Sequence, residues 1–199
     1  MAYKDFTLEK IRDNFGIQFQ TDKLFSEIKP FEPSHWLTET LQRSRLFSLT
    51  TEKIRSEVVV FPILSEIKEK NADFIQLFSG EILNIDKSTK LMGECDYIFS
   101  RNTGIPRLIA PLISVIEAKK ADIDKGIDQC SAQMVGIQKF NEIHKQEIKI
   151  VYGCVTNANE WKFIRLQDKL FTIDTDTYFI KELPILLGIF QRIIEHYHL

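Results

Sequence analysis

The chemistry-bearing residues of this 199-residue chain gather in two short stretches, GECD at 93–96 and VIEAKK at 115–120. Glu117 and Lys119 close an apolar run of Leu112, Ile113, Val115 and Ile116, whose β-branched members favour a buried strand. Side chains alternate along a strand, so the carboxylate and the ammonium point the same way with only Ala118 between them. A solvated surface ion pair is worth only about 0 to 1 kcal/mol, and a strand this apolar is a poor candidate for an exposed edge. Asp96 stands inside a second predicted strand, where Asp is disfavoured. From neighbouring strand ends, Asp96 and Glu117 can hold a divalent cation with hard oxygen ligands, typically Mg2+ with Mn2+ as a substitute. Such an ion keeps several waters and also coordinates a phosphate. It polarises a phosphoryl oxygen and lowers the pKa of a bound water. Lys119 would then orient that water or stabilise negative charge developing on the phosphorus oxygens.

These groups need a sheet to carry them, and the periodicity supplies one. Residues 1–47 read as a helical N-terminal extension, with Ser34 capping a short helix after Pro30 and Pro33. Ile54, Val58, Phe61, Leu64 and Ile67 recur every three or four residues and predict a helix over 50–70, kinked or restarted at Pro62. Strands follow around 74–78, 81–85 and 91–99 as a meander, then the loop RNTGIPR and the strand of PLISVIEAKK. Asp122 is placed to cap a long amphipathic helix that runs on to His144 through Ile127, Cys130, Met134 and Ile137. EIKIVYGCVT is another strand, 161–166 and 170–173 form an edge hairpin, and 181–197 make a closing helix. The expectation is a single α/β domain, a mixed central sheet flanked by helices, with a core over 50–156 and a C-terminal hairpin and helix over 157–199.

The order GECD, VIEAKK and a helix bearing Gln129 and Gln133 resembles the PD-(D/E)XK nuclease superfamily, including the nuclease domains of bacterial type I restriction subunits. The resemblance covers roughly Thr50 to Thr156 and implies the restriction-endonuclease-like αβββαβ core. It also implies Mg2+-dependent hydrolysis of phosphodiester bonds in DNA. Asp96 matches the first metal ligand, Glu117 the second and Lys119 the catalytic lysine. Glu57, in RSEVVV on the preceding helix, matches a helical Glu that serves some members as a further ligand, and Gln129 matches a helix Gln near the site. Cys95 stands where the family has its Pro, and Gln133 where a Tyr follows the helix Gln. Glu94 shares a face with Asp96 by alternation and is either a neighbour of the site or an exposed carboxylate.

The whole-chain properties set bounds. With 26 basic and 28 acidic residues the chain carries a formal charge of −2, so contact with nucleic acid must rest on a local patch. Cys95, Cys130 and Cys154 have no zinc-type spacing and read as buried free thiols of a reducing cytoplasm. No apolar stretch is long enough to span a membrane, and the first ten residues are no signal peptide. Two other readings share the fold: a non-catalytic module that binds nucleic acid or protein, and a subunit active only within a restriction or defence complex; the expected partners are DNA and either further copies of the chain or restriction-type subunits.

Overall fold

The computed structural model describes residues 2–86, 88–121 and 123–198. After a 3-10 turn at Tyr3–Asp5, helix α1 (Leu8–Phe15) starts at Thr7, whose side chain accepts the Lys10 N–H. It stops at Gly16, which takes the left-handed φ of 65° that a residue without Cβ adopts cheaply. Strand β1 (Gln18–Asp22) follows, then α2 (His35–Ser44), capped by Ser34 as its sequence predicts. The helix expected over 50–70 is present in three consecutive pieces: α3 (Glu52–Arg55), a π-helical turn at Ser56–Val60, and α4 (Phe61–Lys70). In the π turn the Phe61 N–H reaches back five residues to the Ser56 carbonyl, and Pro62 falls in the first turn of α4. The widened turn precedes the proline, which therefore begins a new helical stretch instead of breaking the old one.

The strands β2 (Ile75–Ile82), β3 (Glu94–Arg101) and β4 (Leu112–Ala118) are antiparallel neighbours. Helix α5 (Ile123–Ile143) then crosses to β5 (Ile150–Thr156), which lies parallel to β4. Strands β6 (Glu160–Gln167) and β7 (Leu170–Asp174) continue antiparallel, and the short β8 (Tyr178–Phe179) pairs with β6 before α6 (Leu183–His196). One mixed eight-stranded sheet results, in the order β1-β7-β6-β5-β4-β3-β2. One face packs against α4 and α6 through Ile63, Ile67, Phe163, Leu186 and Phe190, the other against α5 through Val155, Cys130, Met134 and Ile137. The α/β class and the mixed sheet between helices therefore agree with the sequence.

Three expectations change. The N-terminal 47 residues are not purely helical, because Gln18–Asp22 adds a parallel strand to β7. QFQTD carries a single apolar residue, Phe19, which stacks on Phe171 at 5.4 Å, so neither alternation nor an apolar run announces the strand. The 161–173 hairpin is consequently interior, flanked by β5 and β1, and Trp161 and Phe163 are fully buried packing groups. The stretches 74–78 and 81–85 do not form two strands, since β2 runs unbroken through Gly80 to Ile82. The expected cap Asp122 lies outside the described residues. All three cysteines are free and buried, and no helix among the described residues is long and apolar enough to cross a membrane.

Candidate active site

Every residue of β4 is buried, Glu117 included, because strands lie on both sides and helices on both faces. A carboxylate there needs partners. Its Oε1 accepts from Lys119 Nζ at 2.5 Å and its Oε2 from Gln133 Nε2 at 2.7 Å. Lys119 also donates to Gln129 Oε1 at 3.1 Å, so the two glutamines, one turn apart on α5, hold the two members of the pair separately. The Lys119 backbone N–H donates to the Thr156 carbonyl at 2.7 Å, which extends the β4–β5 ladder past Ala118 and fixes where the lysine leaves the sheet. Gly126 admits this arrangement. A Cβ on it would lie 2.3 Å from Val155 Cγ1 and 3.0 Å from Lys119 Cγ, so only glycine lets α5 come this close to the strand ends.

Asp96 arrives from β3. The pair Tyr97↔Ile116 is the outermost in that ladder, and Asp96 and Glu117 are the next residues outward. Asp96 Oδ2 accepts the Ala118 N–H at 2.7 Å, a bond that ties the carboxylate to the end of β4. Burial pushes the Asp96 carboxyl above its usual range, against the opposing pull of the Ala118 N–H. Burial, then the charge of Asp96, raises Glu117 to about 7, although Lys119 and Gln133 oppose the rise. Burial alone would lower Lys119, but the Glu117 carboxylate outweighs it and holds the ammonium above its ordinary value. Two half-buried or buried carboxylates thus repel each other beside one lysine, and this is the electrostatic situation that a bound cation relieves.

A cleft of about 420 Å3 opens at Asp96, lined also by Glu52, Glu57, Glu94, Ser56 and Tyr97. The Ser56 hydroxyl and the Tyr97 phenol share a hydrogen bond of 2.6 Å, so the π turn is pinned to β3 beside Asp96. Glu57 faces this cleft but is largely in solvent, 3.9 Å from Lys53 Nζ. Glu52 is the helical carboxylate drawn to the strand ends, accepting the Lys120 N–H at 3.0 Å and adding to the repulsion felt by Asp96. Glu52 lines a second cleft as well, of about 580 Å3, where Lys119, Lys4, Lys120 and Gln129 also stand. Glu94 is exposed at the mouth of the first cleft.

Asp96, Glu117, Lys119 and Gln129 are therefore brought together, with Glu57 at the rim. Gln133 joins them more directly than its sequence suggests, since a helix glutamine reads equally well as a solvated stripe. Glu52 was not anticipated: the first turn of a helix is an ordinary place for an acid, and only the fold of the backbone places it at β4. No group of three or more His, Cys, Asp and Glu side chains set to hold a metal occurs among the described residues. The donor set nevertheless fits Mg2+, which is commonly held by one or two carboxylates with waters and substrate oxygens completing its shell. The sequence matches no protein-family model and no curated protein.

Proposed function

We propose that the chain is a divalent-cation-dependent phosphodiesterase acting on DNA, with a PD-(D/E)XK-type site on a restriction-endonuclease-like core. The observation that carries this reading is the meeting of Asp96, Glu117 and Lys119 at two adjacent strand ends, with the lysine bonded to Glu117. The succession of a helix over 52–70, the β2–β3–β4 meander, α5 and the parallel β5 supports it as the αβββαβ order.

Asp96 and Glu117 would hold Mg2+, with Glu52, Glu57 and Glu94 as further carboxylates lining the cleft. The ion, when bound, supplies Lewis acidity toward a phosphoryl oxygen and lowers the pKa of a water. Lys119 keeps its proton, because the Glu117 carboxylate raises its pKa. It therefore donates hydrogen bonds and positive charge to the oxygens of the reacting phosphate and does not serve as a base. Gln129 holds the ammonium and Gln133 holds Glu117, so both fix rotamers that would otherwise be free at the end of a strand. Burial of Glu117 leaves Asp96 as the more accessible ligand of the two.

Purified protein is incubated with supercoiled, linear and single-stranded DNA in Mg2+ and in Mn2+. Cleavage is expected, with Asp96→Ala and Lys119→Ala both inactive. Cleavage undiminished in either variant overturns the assignment, and a calorimetric titration in which neither cation binds the acidic cluster identifies a non-catalytic scaffold instead.

A further inference from the structure

At the other end of β5, a second polar constellation interrupts the α6 face of the sheet. Register sets Tyr152 opposite Arg165, Arg165 opposite Thr172, and Thr172 opposite Gln20, so four polar side chains cross β5, β6, β7 and β1 in one row. Three of them are accounted for. Gln20 Nε2 donates to Thr172 Oγ1 at 3.1 Å, and Tyr152 packs against Phe25 and Tyr197. Arg165 is not. It is half-buried at an interior strand, its Nε is shut off from solvent with no hydrogen-bond partner among the described residues, and its guanidinium reaches the Tyr152 phenol.

Arg192, from α6, faces the same place. Both guanidiniums bear on the Tyr152 phenol and on the His196 ring; burial lowers the imidazole pKa and the two arginines lower it further. Among the described residues neither arginine has a carboxylate within 4.0 Å. Glu195 is the one acid lining the pocket, and it is engaged by Gln191 at 3.1 Å. Cations near the last turn of a helix are often explained by its dipole, which accounts for Arg192 and His196 but not for Arg165, which stands on a strand. A half-buried guanidinium with a sealed, unpartnered Nε and no ion pair among the described residues is short of a counter-charge, and charges withdrawn from water are stable only when paired.

We propose that this pocket, a cavity of about 370 Å3 floored by Leu24 and Phe25, binds a phosphate group between Arg165 and Arg192. Guanidinium forks match phosphate oxygens bidentately, the Tyr152 hydroxyl supplies a further donor, and the aromatic floor accepts the organic part of the ligand. Four residue steps along β5 lead from Tyr152 to Thr156, about 13 Å at the usual rise of a strand, so the pocket is distinct from the carboxylate site. The phosphate belongs either to a small phosphorylated molecule such as a mononucleotide or to the end of a nucleic-acid strand.

The test titrates the full chain with inorganic phosphate, with a nucleoside 5′-monophosphate, and with an oligonucleotide with and without a terminal phosphate. Calorimetry and the His196 ring resonance at fixed pH are the readouts. Saturable binding that moves the His196 signal, weakened about tenfold or more in Arg192→Gln and in Arg165→Gln, with the His196 shift by inorganic phosphate retained in Lys119→Ala, is expected. Arg192 is exposed on α6, so its variant keeps the fold if the Arg165 variant does not. A preference for the phosphorylated oligonucleotide assigns the strand end, and binding of the mononucleotide alone assigns the small ligand. Failure of every probe to bind saturably, equal affinity in Arg192→Gln, or loss of the His196 shift by inorganic phosphate in Lys119→Ala overturns the proposal.

Discussion

Glu117→Gln should make the metal-free protein more stable at pH 8 while abolishing cleavage. The Glu117 carboxyl is raised from 4.5 to about 7 in the folded state, chiefly by burial. A raised carboxyl binds its proton more tightly when folded, so it costs nothing below about pH 4.5, and the cost grows until the pH passes its folded value. Two to three pKa units correspond to about 3 kcal/mol against the fold at pH 8. The amide removes that cost, and the pull of Lys119 on the carboxylate is already contained in the folded value. The net gain is about 3 kcal/mol at pH 8 and shrinks to about 1 kcal/mol or less by pH 5. Urea unfolding of both proteins at pH 5, 6.5 and 8 in chelator measures it, and Mg2+ is expected to stabilise only the parent. A difference independent of pH, or a variant less stable than the parent at pH 8, would refute the reasoning.

The two helical acids should separate in cleavage assays. Glu52→Gln is expected to lower cleavage about tenfold or more, because its carboxylate faces Asp96 and holds Lys120, whereas Glu57→Gln changes it by less than about threefold; equal effects would contradict the placement. Gly126→Ala forces a Cβ to within 2.3 Å of Val155 Cγ1, so it should cost about 1 to 3 kcal/mol and reduce cleavage by shifting Lys119, read as a lowered Tm and turnover. The fully buried Glu66 accepts the Ser34 N–H at 2.9 Å and the Ser34 hydroxyl at 2.6 Å, beneath the cap of α2. Glu66→Ala is therefore expected to cost about 3 kcal/mol, with Glu66→Gln milder, and denaturant midpoints unchanged by the alanine would exclude that role.

Where the sequence carried a period or a cap, the fold was legible. Thr7 and Ser34 cap α1 and α2, the apolar run of 112–118 is the wholly buried β4, and the apolar positions of 123–143 form the face of α5. Where the determining contact is distant in the chain, it was not. The polar QFQTD becomes a strand because β7 offers an open edge and Phe171 a ring for Phe19, neither of which a local window contains. The site divides the same way. Asp96, Glu117 and Lys119 could be found because each breaks the rule of its own strand, an acid or a cation where apolar residues belong. Glu52 breaks no local rule, and it lies five residues from Glu57, about 140° around an α-helix. Which of the two turns toward Asp96 depends on the π turn, and a π turn has no sequence period of its own.

The parallel pairing of β1 with β7 has a kinetic consequence. Gln18 aligns with Leu170 and Asp22 with Asp174, so the ladder closes a loop of about 150 residues, and closure of so long a loop is entropically slow. On the ribosome, Gln18–Asp22 emerges long before the edge it completes. Until β7 is made, the segment has no strand beside it, and the β5–β7 sheet must form first to receive it. The ladder is held on one side only, so it should also be the first to open in the folded protein. Amide exchange in Gln18–Asp22 faster than in β5 and β6 is the expected signature, and protection equal to theirs would show that this strand folds with the core.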